Sequence, residues 1–374
     1  MILPRNTLAI IGAGPIGLEA AAAALDQGFD VHVFERGEVG AHPIAWGHVR
    51  MFTPWRMNLG PRSAARLEAA GWRRPDPAAF PTGIELAETY LQPLANLPEL
   101  KPRIHTHAQV VHVSRRGMLK TDEGPRRRDH PFRLLVRDAG GRESFLHAYA
   151  LIDASGVYGQ PNWAGDGGIP ARQELYLAPQ MSYHLEDVLG GRRARHAGRR
   201  TVVIGGGLSA ATAIDALARL ADQAPGTSAV WVTREVAGSV CAGPPDDPLV
   251  ERAALARRGR ELAAGGHPAI AHVGGAAVEV FEFNSATHRY RVNLRVGETS
   301  QNEEIDEVLV HAGYGGDDSL TRELRKDEPD FYLLGHKLYG RKPDFLLETG
   351  YVQVAGVIEQ QARVLGFLAH ARQA

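Results

Sequence analysis

The sequence contains a single cysteine among its 374 residues. Cys241 alone can form neither an intramolecular disulfide nor a Cys-x-x-Cys redox pair. The formal net charge is −1, with 42 Lys and Arg against 43 Asp and Glu, so no global field favours nucleic acid or an anionic membrane. Three histidines near one predicted strand, His105, His107 and His112, lack Cys or acidic partners at ligand spacing, so we predict no metal site.

Long apolar runs are also missing. The longest apolar stretch, around residues 16–25, is shorter and more interrupted than the ~20 residues that a bilayer crossing needs. The charged Arg5 and the apolar strand after it leave no room for the hydrophobic core of a signal peptide. We therefore expect a cytoplasmic protein of about two domains, with neither a membrane nor a nucleic acid as its partner.

A glycine-rich turn near the beginning of the chain is the first strong signal. An apolar run ends in GAGPIG at residues 12–17, and an Ala-rich helical pattern and a second apolar run follow. In such a βαβ unit, Gly12 permits the tight turn, Gly14 lets the backbone approach a pyrophosphate, and Gly17 lets helix and strand pack closely. The order of elements predicts a dinucleotide site; the alternative is a glycine turn in an ordinary α/β protein.

Groups around this turn suit the same ligand. The helix begins at Pro15 and Ile16, and the free N–H groups of its first turn (Pro15 has none) and the positive end of the helix dipole attract phosphate. Glu35 ends the second strand 18 residues after Gly17, which places its carboxylate to accept hydrogen bonds from a ribose diol. Arg36 follows and is a further candidate contact.

Residues 201–234 repeat this order of elements. The apolar run 201–204 leads into GGGLSA at residues 205–210, and a helical pattern and a second apolar run over 229–232 follow. The repeat predicts a second nucleotide site, with Gly205, Gly207 and Ser209 among its contacts.

The end of the second strand differs between the two copies. Thr233 and Arg234 stand where the first copy has an acid. An acid at this place binds an unphosphorylated ribose, whereas an arginine accommodates a 2′-phosphate. The second site is therefore predicted to take NADPH; Glu235 directly follows and keeps NADH open as the alternative.

Antiparallel hairpins are predicted after each copy. Apolar and polar residues alternate over 110–113, 132–136 and 144–146, and again over 278–283 and 290–294. The arginines at 126–128 are expected to form a solvated hairpin tip, with phosphate binding as the alternative.

The segment 45–58 mixes aromatic, cationic and amide side chains. Such a mixture suits a loop that covers an aromatic ligand, with Trp46 and Arg56 as candidate contacts. The alternative is an irregular surface loop anchored by its tryptophans.

With two nucleotide motifs and two sets of hairpins, the sequence resembles the two-dinucleotide-binding-domain flavoproteins over nearly the whole chain. The first turn with Glu35 is similar to their FAD site, and the second turn is similar to their NAD(P)H site. DASG at residues 153–156 resembles the crossing strand between the domains, which makes Gly156 a candidate contact. Ala312-Gly313-Tyr314 resembles the return crossing, and Gly335 resembles the glycine of the last flavin-contacting motif.

The resemblance implies an α/β fold with two Rossmann-like, three-layer ββα dinucleotide-binding domains, each with an antiparallel β-meander. The FAD domain is expected over residues 1–160 and 311–374. The NADPH domain, over 161–310, is expected as an insertion in it.

Within this superfamily, the chain is more similar to the flavin-containing monooxygenases and their bacterial relatives than to the thioredoxin-reductase branch. A single cysteine cannot supply the dithiol that the latter needs. The resemblance rests on GGGLSA, on HVRMFTPWRMN at 48–58 and on the segment 333–354. Two features depart from the family patterns. The monooxygenase fingerprint FxGxxxHxxx(Y/W) is not intact, with His184 out of register, and His336 stands where disulfide reductases have an Asp.

The implied activity is that of an FAD-dependent, NADPH-oxidising monooxygenase, which inserts one oxygen atom from O2 into a small heteroatom-containing substrate through a C4a-(hydro)peroxyflavin. Asn58 would stabilise that species by a hydrogen bond, the alternative being an Asn in a turn. Lys337 would stabilise the reduced flavin anion, the alternative being a solvated lysine. Two other functions stay open: an NADPH-dependent flavin reductase without oxygen insertion, and a non-catalytic FAD-binding protein.

Overall fold

The computed structural model describes residues 4–123, 125–244, 246–339 and 345–370. The chain divides into two compact units: the first comprises Met1–Tyr158 and Gly316–Ala374, and the second comprises Gly159–Gly315. Residues 340–344, which belong to the C-terminal segment that resembles the monooxygenases, lie outside the described residues.

Strands and helices alternate at the start of each unit. The described strands are β1 Thr7–Ile11, β2 Asp30–Phe34, β3 Ile104–His105, β4 Ala108–Arg115, β5 Phe132–Asp138, β6 Glu143–Ala148, β7 Ala150–Asp153, β8 Arg200–Ile204, β9 Ser228–Val232, β10 Ile270–Val273, β11 Ala276–Asn284, β12 Arg289–Val296, β13 Thr299–Ile305, β14 Glu307–Val310 and β15 Phe331–Leu333. The described α-helices are α1 Pro15–Asp26, α2 Ala41–Ala45, α3 Trp55–Asn58, α4 Pro61–Ala69, α5 Gly83–Leu86, α6 Gln92–Ala95, α7 Glu174–Leu177, α8 Arg193–His196, α9 Leu208–Ala221, α10 Val250–Ala263, α11 His336–Tyr339 and α12 Leu347–His370. Among these helices, none combines the length and apolar character that a membrane crossing requires.

Each unit is built around a parallel sheet. The strand order is β15-β7-β1-β2-β3 in the first unit and β10-β9-β8-β14 in the second. In both sheets the strand that enters the glycine-rich turn, β1 or β8, has a parallel neighbour on either side. This position explains why the residues of these two strands are almost all buried.

In the first unit, alternate residues of β1 face different layers. Leu8 and Ile10 pack in the cluster that includes the helices α1, α4 and α12. Ala9 and Ile11 pack instead with Phe132 and other residues of the antiparallel meander β4-β5-β6. Because side chains of a strand alternate between its faces, the sheet lies between helices and meander. This is the predicted ββα layering.

The second unit has the same three layers. Val203 and Trp231 pack with helix α9, whereas Val202 and Val230 pack with Phe281 of the meander β11-β12-β13. The hairpins predicted from alternating residues are therefore present in both units, and the predicted fold class is confirmed.

Helix α12 packs against the beginning of α1. A Cβ atom on Gly350 would collide with the side chain of Ile16, so the two helices approach closely. Tyr351, Val354 and Ile358 of α12 are buried in the same cluster. Burial of each such side chain stabilises the fold by about 1.5–3 kcal/mol. The packing therefore fixes the N-terminus of α1 relative to the sheet.

Candidate functional site

The glycine-rich turn of the first unit follows the carboxyl end of β1. Gly12 has a φ of 101°, and a Cβ atom on it would lie 2.7 Å from the Ala154 carbonyl oxygen. A Cβ atom on Gly17 would collide with the Gly12 carbonyl oxygen. Both positions therefore require glycine. By contrast, no atom lies within 4 Å of a Cβ on Gly14 among the described residues, so the turn is open on that side.

Helix α1 begins at this opening. Gly14 is its N-cap and supplies no side-chain oxygen to the first-turn N–H groups. The first N–H groups of a helix have no partner within the helix, and together with the helix dipole they attract anions. The geometry around Pro15 and Ile16 is therefore suited to a phosphate group.

The Glu35 carboxylate lies against the same turn. Oε2 accepts a hydrogen bond from the Ala13 N–H at 2.9 Å, and Oε1 accepts one from the Gly37 N–H at 2.8 Å. Each carboxylate oxygen has a second lone pair, so the group can still accept hydrogen bonds from hydroxyls. The structure thus brings Glu35 against the turn that contains Gly12 and Gly14. Arg36, the next residue, is exposed.

The neighbouring strands β7 and β15 end beside this turn. Gly335 has a φ of 74°, and a Cβ atom on it would lie 3.4 Å from the Ile16 side chain. The Gly335 N–H donates to Gln353 Oε1 of α12 at 2.7 Å. Gly156 has a φ of 70°, and nothing in the described structure lies within 4 Å of a Cβ on it. Both predicted glycines thus follow strands at the same edge of the sheet.

Lys337 is not a solvated lysine. Its side chain is 3% exposed, and its Nζ lies 2.6 Å from Asp153 Oδ2. The other carboxylate oxygen of Asp153 accepts hydrogen bonds from the N–H and the hydroxyl of Ser155 at 3.0 and 2.6 Å. The Lys337 charge is therefore neutralised inside the protein. Sequence reasoning missed the partner of Asp153, although an acid that ends an apolar strand signals a cationic partner.

The structure does not offer the Asn58 side chain to a ligand. Asn58 is 0% exposed, and its Nδ2 donates to the carbonyl oxygens of Thr53 and Pro54 at 2.8 and 3.0 Å. Its Oδ1 accepts from the Thr53 hydroxyl at 2.7 Å. The amide closes its own turn, which is the alternative that the sequence left open.

The other candidates of this segment differ in exposure. Trp46 is half-buried, and its ring lies so close to Gly83 that a Cβ there would collide with it. Arg56 is exposed. Trp46 therefore has a packing role in the described structure, whereas the Arg56 guanidinium faces solvent.

The second glycine-rich turn has the same backbone geometry as the first. Gly205 has a φ of 131°, and a Cβ atom on it would collide with the His311 carbonyl oxygen. Gly207 is the N-cap of α9, supplies no side-chain cap, and has nothing described within 4 Å of a Cβ position. Ser209 lies in the first turn of α9 and is half-buried. This turn is likewise open at a helix N-terminus.

The residues after β9 fall into two groups. Thr233 is 2% exposed, and its hydroxyl donates to the Glu235 carbonyl oxygen at 2.6 Å and lies 2.8 Å from His272 Nε2. Arg234 is 79% exposed, with its guanidinium 4.0 Å from the Glu235 carboxylate. Thr233 therefore shapes the chain, and Arg234 is the available cation.

Cys241 is a structural residue of the second turn. Its N–H donates to the Gly206 carbonyl oxygen at 2.8 Å, and the residue is buried. Burial raises the pKa of the thiol to about 11. A thiol that is protonated at neutral pH is a poor nucleophile.

His184, from the incomplete fingerprint, stacks on Tyr314 with ring centroids 5.7 Å apart. Burial lowers its pKa. Asn162 holds the return crossing, because its N–H donates to Gly313 O at 2.9 Å and its Nδ2 to Ala312 O at 3.0 Å. In the part of the chain that the structure describes, no group of three or more His, Cys, Asp or Glu is arranged to hold a metal ion.

No protein-family model and no curated protein matches the sequence. Solved structures do match. Bacillithiol disulfide reductase Bdr (YpdA) from Bacillus cereus superposes with a TM-score of 0.69 at 19% identity, covering 96% of this chain and 98% of that chain. Ornithine N-hydroxylase KtzI from Kutzneria sp. 744, with reduced FAD, NADP+ and L-ornithine, gives 0.65 at 17% identity, covering 97% and 100%. Thioredoxin reductase from Lactococcus lactis gives 0.60 at 14% identity, covering 96% and 97%. The chain therefore has the fold of the two-dinucleotide-binding-domain flavoproteins, as its two glycine-rich turns predict.

Proposed function

We propose that the protein is an FAD-dependent oxidoreductase that oxidises NADPH and acts as a monooxygenase on a small, heteroatom-containing substrate. The observation that carries the proposal is the pair of open glycine-rich turns, each at the N-terminus of a long helix, in a chain without a thiol pair. The matching structures include both monooxygenases and disulfide reductases, so the residues of this chain must decide between them.

The first turn fits FAD. Gly14 leaves room for a pyrophosphate, and the α1 N–H groups would donate hydrogen bonds to its oxygens. The Glu35 carboxylate would accept hydrogen bonds from the ribose hydroxyls. Gly156 and Gly335 follow the ends of the adjacent strands β7 and β15, and both have positive φ angles. When bound, FAD supplies a two-electron acceptor for the hydride of NADPH and, once reduced, a reductant for O2.

The second turn fits a nicotinamide dinucleotide. Gly207 is open at the N-terminus of α9, which would bind the pyrophosphate. Arg234 is free to reach a 2′-phosphate because most of its side chain is exposed. Gly205, Ser209 and Thr233 would shape this site rather than carry charge.

The cysteine content favours oxygen chemistry over disulfide reduction. Reduction of a disulfide through the protein requires an accessible thiolate. Cys241 is buried, its pKa is raised to about 11, and the sequence has no second cysteine. On this ground the ornithine N-hydroxylase is a better functional analogue of this protein than the bacillithiol disulfide reductase is.

A second candidate is an NADPH-dependent flavin reductase that inserts no oxygen. The Asn58 amide, the predicted stabiliser of activated oxygen, is fully bonded within its own turn. The charge of Lys337, the predicted stabiliser of the reduced flavin anion, is already neutralised by Asp153. The ion pair therefore holds the end of β7 near Gly156. These observations leave oxygen activation without an assigned side chain.

Anaerobic and aerobic measurements on the flavin-loaded protein separate these functions. NADPH is expected to bleach the bound flavin without O2; no bleaching would support the non-catalytic alternative. With O2 and a panel of amines and thioethers, a monooxygenase gives oxygenated product, and its hydrogen peroxide yield per NADPH falls as product forms. A reductase returns all the reducing equivalents as hydrogen peroxide whatever the panel contains.

A further inference from the structure

A carboxylate lies against the second residue of each glycine-rich turn. In the first unit, Glu35 follows β2 directly and reaches Ala13. The strand registers place Thr233 at the equivalent position, since Ile11 pairs with Phe34 and Ile204 with Val232. Position-by-position comparison therefore finds no acid in the second copy.

The structure nevertheless brings an acid to this place. Glu235, two residues further along, turns back so far that a Cβ atom on Gly206 would collide with its Oε2. This oxygen is buried and has no hydrogen-bond partner among the described residues. The side chain as a whole is 36% exposed. A buried carboxylate oxygen without a partner is costly, and the exposed part of the side chain is what a ligand can reach.

The position of Glu235 is fixed by its neighbours. Its carbonyl oxygen accepts hydrogen bonds from the Thr233 hydroxyl at 2.6 Å and from the Gly275 N–H at 3.3 Å. On the other side, the Cys241 N–H holds the Gly206 carbonyl at 2.8 Å. The backbone of Glu235 and the turn are therefore held in place before any ligand binds.

We infer that Glu235 is a specificity-determining residue of the second site and that this site accepts NADH alongside NADPH; this rests on the proposed function. The carboxylate accepts hydrogen bonds from the two hydroxyls of an unphosphorylated ribose and repels a 2′-phosphate. Arg234 acts in the opposite sense, but it is mostly exposed and its guanidinium lies near the same carboxylate. The two side chains together keep the phosphate preference small.

Binding of two adenosine fragments to the flavin-loaded protein tests the role of Glu235 without any redox step. We expect the wild-type protein to bind ADP and adenosine 2′,5′-bisphosphate with dissociation constants within about tenfold of each other. In Glu235→Gln, which keeps the size of the side chain and removes its charge, the preference for the bisphosphate should rise at least about fivefold. Glu298→Gln, an exposed charge change in the β12–β13 hairpin of the same unit, should leave it unchanged.

The outcomes distinguish the two proposals. An unchanged preference in Glu235→Gln, with both fragments still bound, would overturn the role of Glu235 and leave the proposed function intact. A wild-type preference of a hundredfold or more for the bisphosphate would overturn the acceptance of NADH. Binding of neither fragment by the wild-type protein would overturn the second nucleotide site itself, and the inference with it.

Discussion

The Lys337 ammonium group lies 2.6 Å from the Asp153 carboxylate, across 184 residues of sequence, and both side chains are buried. The pair joins the residue that ends β7 to the helix α11 that follows β15. In this position it couples the two strand ends that flank the candidate FAD site, so the pair is a structural element with a measurable effect.

Lys337→Met should destabilise the protein by about 3–5 kcal/mol, because it leaves the Asp153 carboxylate buried without its cation. Urea unfolding measures this change. The control is Lys326→Met, which removes an exposed lysine and should change the free energy of unfolding by less than about 0.5 kcal/mol. Equal stabilities of the two variants would contradict the buried pair.

Glu35→Gln should weaken FAD binding by roughly tenfold. The amide loses the charge-assisted hydrogen bonds from Ala13 and Gly37. It also has only one oxygen that can accept hydrogen bonds from the ribose hydroxyls. Titration of the apoprotein with FAD measures the dissociation constant. Glu88→Gln, at an exposed position of the same unit, should bind FAD as the wild-type protein does; a similar loss in both variants would count against the ribose contact.

Arg234→Ala should raise the dissociation constant for NADPH by about tenfold and leave that for NADH nearly unchanged, because only NADPH carries the 2′-phosphate. The matched control is Arg257→Ala, an exposed arginine on α10. If both nucleotides respond equally to Arg234→Ala, the phosphate assignment is wrong.

Because His311 is buried, we expect the protein to lose folding stability in acid. Burial lowers its pKa to about 4, against the partly opposing effect of Glu186 and with a smaller lowering from His184. The unfolded chain takes up this proton near pH 6.5, but the folded chain does not until about pH 4. The contribution of the neutral His311 to the free energy of unfolding is therefore complete above pH 6.5. It falls by roughly 3 kcal/mol as the pH drops from 6.5 to 4.

His311→Gln should remove most of this pH dependence, because the amide does not titrate. Unfolding free energies at a series of pH values provide the test, with His48→Gln, at an exposed position, as control. If the variant loses stability in acid as steeply as the wild-type protein, another group causes the loss.

Sequence patterns were sufficient for the fold and for the backbone of both turns. Strand, glycine-rich turn and helix are local in sequence, and alternation predicted the meanders, so Gly12, Gly17 and Gly205 could be assigned before the structure. The backbone conformation at these positions requires glycine, so the spacing of the glycines can be recognised in the sequence.

The side-chain partners were not predictable in this way. Asp153 and Lys337 are distant in sequence, and no periodicity links them. Glu235 reaches the turn from two residues beyond the position that comparison with Glu35 indicates. Asn58 carries a residue type that suits both a turn and an active site, and only its three hydrogen bonds decide between them.

The second turn contains its own optical probe. Trp231 is fully buried in β9, and its indole N–H donates to the Gly205 carbonyl oxygen at 2.8 Å. The emission of an indole depends on its hydrogen bond and on nearby charge, so a ligand that shifts the Gly205 carbonyl should change the fluorescence of this one tryptophan. A variant that retains Trp231 as its only tryptophan would report occupancy of the second turn in real time, whatever happens at the flavin.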